Sequence, residues 1–191
     1  MRCHNLKLLA DIFSWGRKIS DEVLFTEDGL FYINNTHSCA IIVKWNKRMW
    51  DWANKPTFPI VVDGRFIHAF VKKHELGIQQ FVIGEVQQNL LVIKIGDDDT
   101  FIASNANDIK YFQEHYQNIQ EILPLFFLTR VDPTILASFP FFKIPKGVKE
   151  AFFGKHPAEN GPILVKLVFE AYEVTGIFCG RGKEDEEEVN A

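Results

Sequence analysis

Three clusters in this 191-residue chain have residue types suited to chemistry. Asp97, Asp98 and Asp99 stand in a row, and carboxylate oxygens are what hard divalent cations take as ligands. Consecutive residues on a tight turn cannot all face one ion, so the run reads as a turn. His68 and His74 are six apart on a helical stretch, not the four that sets two imidazoles side by side on one metal. His37 lies two residues before Cys39 and downstream of Asp28. These are the types of a base-activated thiol, but no third group is placed to orient the base. Gly64 and Gly147 stand singly at the starts of helical stretches and make no glycine-rich phosphate loop. The expectation is a non-enzymatic protein with no cofactor and no metal.

What remains is positive charge on amphipathic helices. From Asp63, a good helix N-cap, to Gly77, a natural stop, Phe66, Ile67, Phe70 and Val71 recur as one apolar stripe, with Arg65, His68, Lys72 and Lys73 on the other side. Asn5 to Lys18 repeats the plan: Leu8, Leu9, Ile12 and Phe13 against Lys7, Asp11, Ser14, Arg17 and Lys18. A third helix is expected after Pro145, which suits a first helical position, carrying Lys146, Lys149 and Lys155 against Val148, Ala151 and Phe152. The candidate DNA-binding residues are these nine of the 21 Lys and Arg: Lys7, Arg17, Lys18, Arg65, Lys72, Lys73, Lys146, Lys149 and Lys155. Gathered on one wall they would hold a phosphate backbone without reading its sequence. A solvated helix face is the competing explanation, because cations near helix C-termini are favoured by the macrodipole at about 0.3–1 kcal/mol each.

The elements that would position these helices are strands. Val23 to Phe25, Leu30 to Ile33 and Cys39 to Val43 follow the first helix, with turns at Glu27-Asp28-Gly29 and Asn34-Asn35. A short apolar strand opening at Phe58-Pro59 precedes the second helix, and Phe81 to Ile83, Leu90 to Ile95 and Thr100 to Ser104 follow it, with a polar run from Gly84 to Asn89 and a turn at Gly96 to Asp99. Tyr111, Phe112, His115, Tyr116, Ile119, Ile122 and Leu123 have helical spacing, as a connecting helix would. Leu125 to Leu136 is apolar but broken by Asp132-Pro133, and its state is open. Ile163 to Phe169 and Val174 to Cys179 read as strands. Setting His74 against His156 aligns Ala69 with Ala151 and Phe70 with Phe152, a suggestion of a repeat. Trp45, Trp50 and Trp52 lie among Lys47, Arg48 and Lys55. They suit either base stacking or packing of indoles on a neighbouring sheet.

The fold class expected is α+β: repeated helix-plus-three-strand (βαβββ-like) modules, antiparallel sheets backed by amphipathic helices. Two modules occupy 1–105, a connecting helix and a third, incomplete module 106–183, and an acidic tail 184–191. Net charge is −4, so any nucleic-acid contact must come from local arrangement rather than bulk attraction. Cys3, Cys39 and Cys179 are odd in number and form no CxxC pair, pointing to free thiols. With no signal peptide and no apolar run long enough to span a bilayer, the expected place is the cytoplasm, or the nucleus in a host that has one.

The order helix-strand-strand-strand, strand-helix-strand-strand-strand, with FTEDGLFYINNTHSCAIIVKW and Phe58 to Lys73 carrying it most clearly, resembles the DNA sliding clamp family: the bacterial polymerase β-subunit, PCNA and phage clamps. The resemblance covers Asn5 to Asn105, and Phe139 to Gly180 less closely. It implies a sliding-clamp-like replication processivity factor: a homo-oligomeric ring of modules around duplex DNA, serving a DNA polymerase or loader, with no membrane partner. Two departures stand out: the strand before Asn5 is missing or very short, and the last module lacks a complete partner. A protein-interaction or inhibitory module acting on a replication or other host factor is the alternative function.

Overall fold

The computed structural model describes residues 2–3, 6–26, 28–46, 50–51, 60–74, 82–87, 90–95, 99–104, 109–134 and 147–179. Thirteen strands and three helices follow in the order β1 (Arg2–Cys3), α1 (Leu6–Gly16), β2 (Glu22–Phe25), β3 (Gly29–Ile33), β4 (Cys39–Trp45), β5 (Trp50–Asp51), β6 (Ile60–Asp63), α2 (Gly64–His74), β7 (Val82–Gln87), β8 (Leu90–Ile95), β9 (Asp99–Ser104), α3 (Ile109–Ile122), β10 (Phe127–Val131), β11 (Glu150–Lys155), β12 (Ile163–Val168) and β13 (Tyr172–Phe178) among the described residues. They build a five-stranded sheet, β5-β1-β7-β8-β9, and an eight-stranded sheet, β10-β11-β12-β13-β4-β3-β2-β6. Every pairing is antiparallel, and the seven-residue register of β13 on β4, from Tyr172 opposite Trp45 to Phe178 opposite Cys39, makes the larger sheet continuous. The fold is thus mixed α+β with helix-backed antiparallel sheets.

Both faces of the larger sheet are covered. On one, Val23, Phe25, Leu30, Tyr32, Ile41, Val43, Ile60 and Val62 meet Leu9, Ile12 and Phe13 of α1 and Ile67 and Val71 of α2 in one buried cluster, which also takes in Leu91, Ile93 and Ile95 of β8. On the other, Leu24, Phe31, Ile33, Ala40, Ile42 and Val61 lie beneath Phe112 of α3, with Tyr116 and Ile119 packed alongside. The Phe31 ring meets Phe112 and Tyr116 edge-on, at 6.5 and 5.4 Å between centroids. Two-sided burial explains why β3 is apolar throughout rather than alternating.

Several sequence expectations change here. The helix after Pro145 is not formed over 150–155: this segment is β11, paired with β10 on one side and β12 on the other. The alignment of Ala69-Phe70 with Ala151-Phe152 therefore sets helix against strand and marks no repeat. Phe66 does not belong to the buried stripe of α2; it is 63% exposed, while Gly64, Ile67 and Val71 face inward. The polar run after Ile83 does not end the strand, since β7 continues to Gln87. The connecting helix ends at Ile122 and is followed by a 3-10 turn, Leu123–Leu125; of the open stretch Leu125 to Leu136, Phe127–Val131 forms β10, and 135–136 lie outside the described residues. β1 is two residues long, a very short first strand.

One close approach fixes how the helices sit. A Cβ on Gly16 would lie 2.0 Å from Cζ of Tyr32, so only glycine lets the end of α1 close over that ring. Tyr32 is fully buried and its hydroxyl has no hydrogen-bond partner among the described residues; burial raises its pKa and keeps it protonated. Removing an unsatisfied buried hydroxyl recovers its desolvation cost, about 1–3 kcal/mol. Tyr32→Phe is expected to keep or raise the urea midpoint, whereas Gly16→Ala is expected to lower stability by about 1–3 kcal/mol through overpacking. A Tyr32→Phe protein less stable than the parent would show that the hydroxyl is satisfied after all.

Candidate nucleic-acid interface

The two basic helices lie side by side on the same face of the sheet, where their apolar stripes share one core. They run antiparallel. Gly16, at the end of α1, sits against the Tyr32 ring, and a Cβ on Gly64, at the start of α2, would come within 3.9 Å of the same ring. Arg17, just past α1, lies with Nη1 3.0 Å from Nδ1 of His68 on α2. One end of the pair therefore gathers Arg17, Lys18 and Arg65, and the opposite end Lys7, Lys72 and Lys73, all exposed.

Not all of this charge is available. Asp63 caps α2, its Oδ1 accepting from the Arg65 backbone N–H at 2.8 Å, as its position before the helix predicts. The same carboxylate takes the Arg65 guanidinium, Nη2 to Oδ2 at 2.6 Å, and Asp21 lies 3.5 Å from Nη1. These bonds from Arg65 hold the Asp63 carboxyl below its usual range and raise the guanidinium further. A cleft of about 630 Å³ opens at this end, lined in part by Arg17, Arg65, Asp21, Glu22 and Asp63. Two arginines against three carboxylates make it a mixed-charge cleft, not a cationic one. The sequence identified the cations and the Asp63 cap but not the pairing of Arg65 with Asp63 and with Asp21, which comes from the turn after α1.

The third basic segment has a different geometry. Lys146 lies outside the described residues. Lys149 precedes β11 and has Nζ 4.0 Å from Oε2 of Glu170. Lys155 closes β11, and strand alternation puts it on the same side of the sheet as Ala151, which belongs to the core shared with α1 and α2. Trp45 is buried in β4, as indole packing requires. Lys47, Arg48, Trp52 and Lys55, the Asp97-Asp98 turn, Gly77 and the acidic tail 184–191 fall outside the described residues, and of Trp50 only its place in β5 is described.

The thiol-imidazole pair does not form. His37, at a left-handed φ of 55° in the turn between β3 and β4, is hydrogen-bonded to the Tyr111 hydroxyl of α3, with the His115 ring 4.3 Å away. Burial, reinforced by His37, lowers the pKa of His115. Burial pushes the Cys39 thiol up to about 12, which leaves it protonated and unreactive at neutral pH. Among the described residues no three of His, Cys, Asp and Glu come close enough to hold a metal ion, and no helix is long and apolar enough to cross a membrane.

No protein-family model matches the chain, and no curated protein matches it. Among solved structures it is similar to several of PCNA. With the PCNA2–PCNA3 complex of Sulfolobus tokodaii it shares 11% identity at a TM-score of 0.59, covering 95% of this chain and 99% of that one. With the PCNA of Entamoeba histolytica the values are 8%, 0.54, 95% and 98%. With A. fulgidus PCNA bound to the C-terminal region of FEN-1 they are 14%, 0.52, 95% and 98%. At these identities the likeness is one of fold.

Losing the α2 cap and its ion pair is expected to cost about 1 kcal/mol in Asp63→Ala. Because the folded-state pKa of Asp63 is depressed, its contribution is complete above the unfolded carboxylate value of about 3.9 and fades as pH falls below it. Thermal melts of the parent and of Asp63→Ala should therefore converge on acidification and separate at neutral pH. A gap that stays constant down to the most acidic melts would contradict this assignment.

Proposed function

We propose that this chain is a non-enzymatic, clamp-like DNA-binding protein, a replication processivity factor that contacts duplex phosphates through α1 and α2. The observation that carries the reading is the antiparallel helix pair. Its apolar stripes are spent on the core, leaving Lys7, Arg17, Lys18, Lys72 and Lys73 exposed on one side of a fold shared with PCNA. Phosphate recognition of this kind needs only such an array and is independent of base sequence. Arg65 contributes less than its position promises, because Asp63 and Asp21 already neutralise it. Lys149 and Lys155 join from the strand side, with Lys146 in the segment before them. The partners are duplex DNA, a polymerase or loader, and further copies of the chain, in the cytoplasm or nucleus. Encirclement of DNA requires such a multi-copy assembly.

A protein-interaction module is the second reading, favoured by β10. Among the described residues this strand is one edge of the eight-stranded sheet, and Phe127 and Leu128, with Leu125 just before it, are 78%, 46% and 48% exposed. An exposed apolar edge strand is a ready template for another chain.

The triple substitution Lys7→Glu, Lys18→Glu, Lys72→Glu is expected to abolish duplex binding at low salt, read by fluorescence anisotropy, with the thermal midpoint nearly unchanged. The parent's log affinity should fall linearly with log salt concentration. Parent protein that binds no duplex at low salt, even with its loader supplied, removes the DNA reading. The assembly is tested separately by solution mass: an exclusively monomeric chain at all concentrations, with and without DNA, excludes a ring.

A further inference from the structure

The outer stripe of α2 is not purely cationic. Arg65, Phe66, Ala69, Lys72 and Lys73 are exposed along it, and the ring of Phe66 is largely in solvent. Phe66, Ala69 and Lys73 stand at i, i+3 and i+7, one row on the helix surface. Ala69 carries only a methyl group, which leaves room for a flat group to lie against the ring between Phe66 and Lys73.

A second ring of this kind stands towards the other end of the sheet. Phe127 of β10, also largely in solvent, is directly opposite Lys155 of β11 in the antiparallel register, so the two project from the same side. That is the helix side, because Ala151 and Phe153 of β11 and Val131 of β10, the alternate residues of their strands, join the core shared with α1 and α2. β10 lies six strand spacings from β2, on which α2 packs, or about 29 Å at about 4.8 Å per spacing. The two rings are thus separate sites on one side of one sheet, each bordered by a lysine.

A duplex backbone needs only the cations, since its base faces are already covered by stacking. An unpaired base offers an open π face, and aromatic side chains beside lysines take such bases without regard to sequence. A protein partner would suit an exposed ring less well here, because the cores of protein interfaces are depleted in lysine. Arg65, next to Phe66 in sequence, is held by Asp63 and Asp21, and Asp11 is the exposed acid of α1, so the phosphates flanking a base on Phe66 fall to Lys72 and Lys73. We propose that the helix side of the sheet takes single-stranded DNA, with unpaired bases stacked on Phe66 and Phe127 and the adjoining phosphates held by Lys72, Lys73 and Lys155. This rests on the DNA reading above and adds the single strand to its ligands.

The test is fluorescence anisotropy on the full chain at low salt with three probes of equal length: oligo(dT), an abasic oligonucleotide with the same phosphates, and a blunt duplex. The parent is expected to bind oligo(dT) at least about tenfold more tightly than the abasic probe. Phe66→Ala and Phe127→Ala should each weaken oligo(dT) binding about tenfold and together about a hundredfold, because sites so far apart act independently. Affinity for the abasic and duplex probes and the thermal midpoint should stay unchanged. Phe66→Leu, apolar but without a π face, should match Phe66→Ala, and Phe66→Trp should show a fluorescence change on oligo(dT) beyond the parent's that the abasic probe does not produce. Equal parental affinity for oligo(dT) and the abasic probe overturns the stacking, as does a loss in the alanine variants that the duplex shares equally. A Phe66→Ala protein with every DNA affinity intact but a lower solution mass makes the ring a contact between copies and overturns it too. If the duplex binds while the oligo(dT) results fail, this inference falls alone; if no probe binds, it falls together with the DNA reading.

Discussion

The molecule depends on a sheet that is closed from both sides at once. β2, β3, β4 and β6 bury one set of side chains under α1 and α2 and the alternate set under α3. Each helix is therefore held by a surface that is itself held from behind. At about 25 cal/mol per Å² of apolar area, this two-sided burial outweighs the modest contribution of exposed ion pairs, about 0–1 kcal/mol each. Lys7, Lys18 and Lys72 are exposed and form no ion pair among the described residues, whereas Arg17 is hydrogen-bonded to His68 and Arg65 is drawn into the cap of its own helix.

Local periodicity made much of this architecture readable. α1, α2, α3, β8, β12 and β13 each carry a pattern whose period matches their state, and the Asp63 cap could be placed from residue type alone. The segment at 150–155 failed for a physical reason. Ala151, Phe152 and the surrounding lysines have a helical spacing, but what decides their state is the ladder to β10 and β12, which no local pattern contains. Gly154 records that pairing: a Cβ there would lie 2.8 Å from Leu128 and 3.3 Å from the Phe127 carbonyl oxygen. Phe66 failed differently, because a stripe drawn at 100° per residue has two borders and only packing shows which one is wet.

The candidate interface was legible as a set of cations but not as a field. Sequence placed Lys7, Lys72 and Lys73 on helices, where they are exposed, but it carried α1 on to Lys18, which lies exposed in the turn after Gly16. It had no means of bringing Asp21 against Arg65, or Tyr111 and His115 against His37, since each of these contacts joins distant parts of the chain. Such contacts set the local sign of the potential and the fate of reactive groups. The half-buried Cys39 thiol, close to an imidazole in sequence yet held protonated, is one outcome.

The pairing of β13 with β4 also has a bearing on synthesis. More than a hundred residues separate the two strands, so a nascent chain emerging from the ribosome presents the β4 edge long before its partner exists. Long-range ladders of this kind form slowly and leave unpaired apolar edges exposed meanwhile. Cells making this protein have reason to shield that edge with a chaperone until translation has delivered Tyr172 to Phe178.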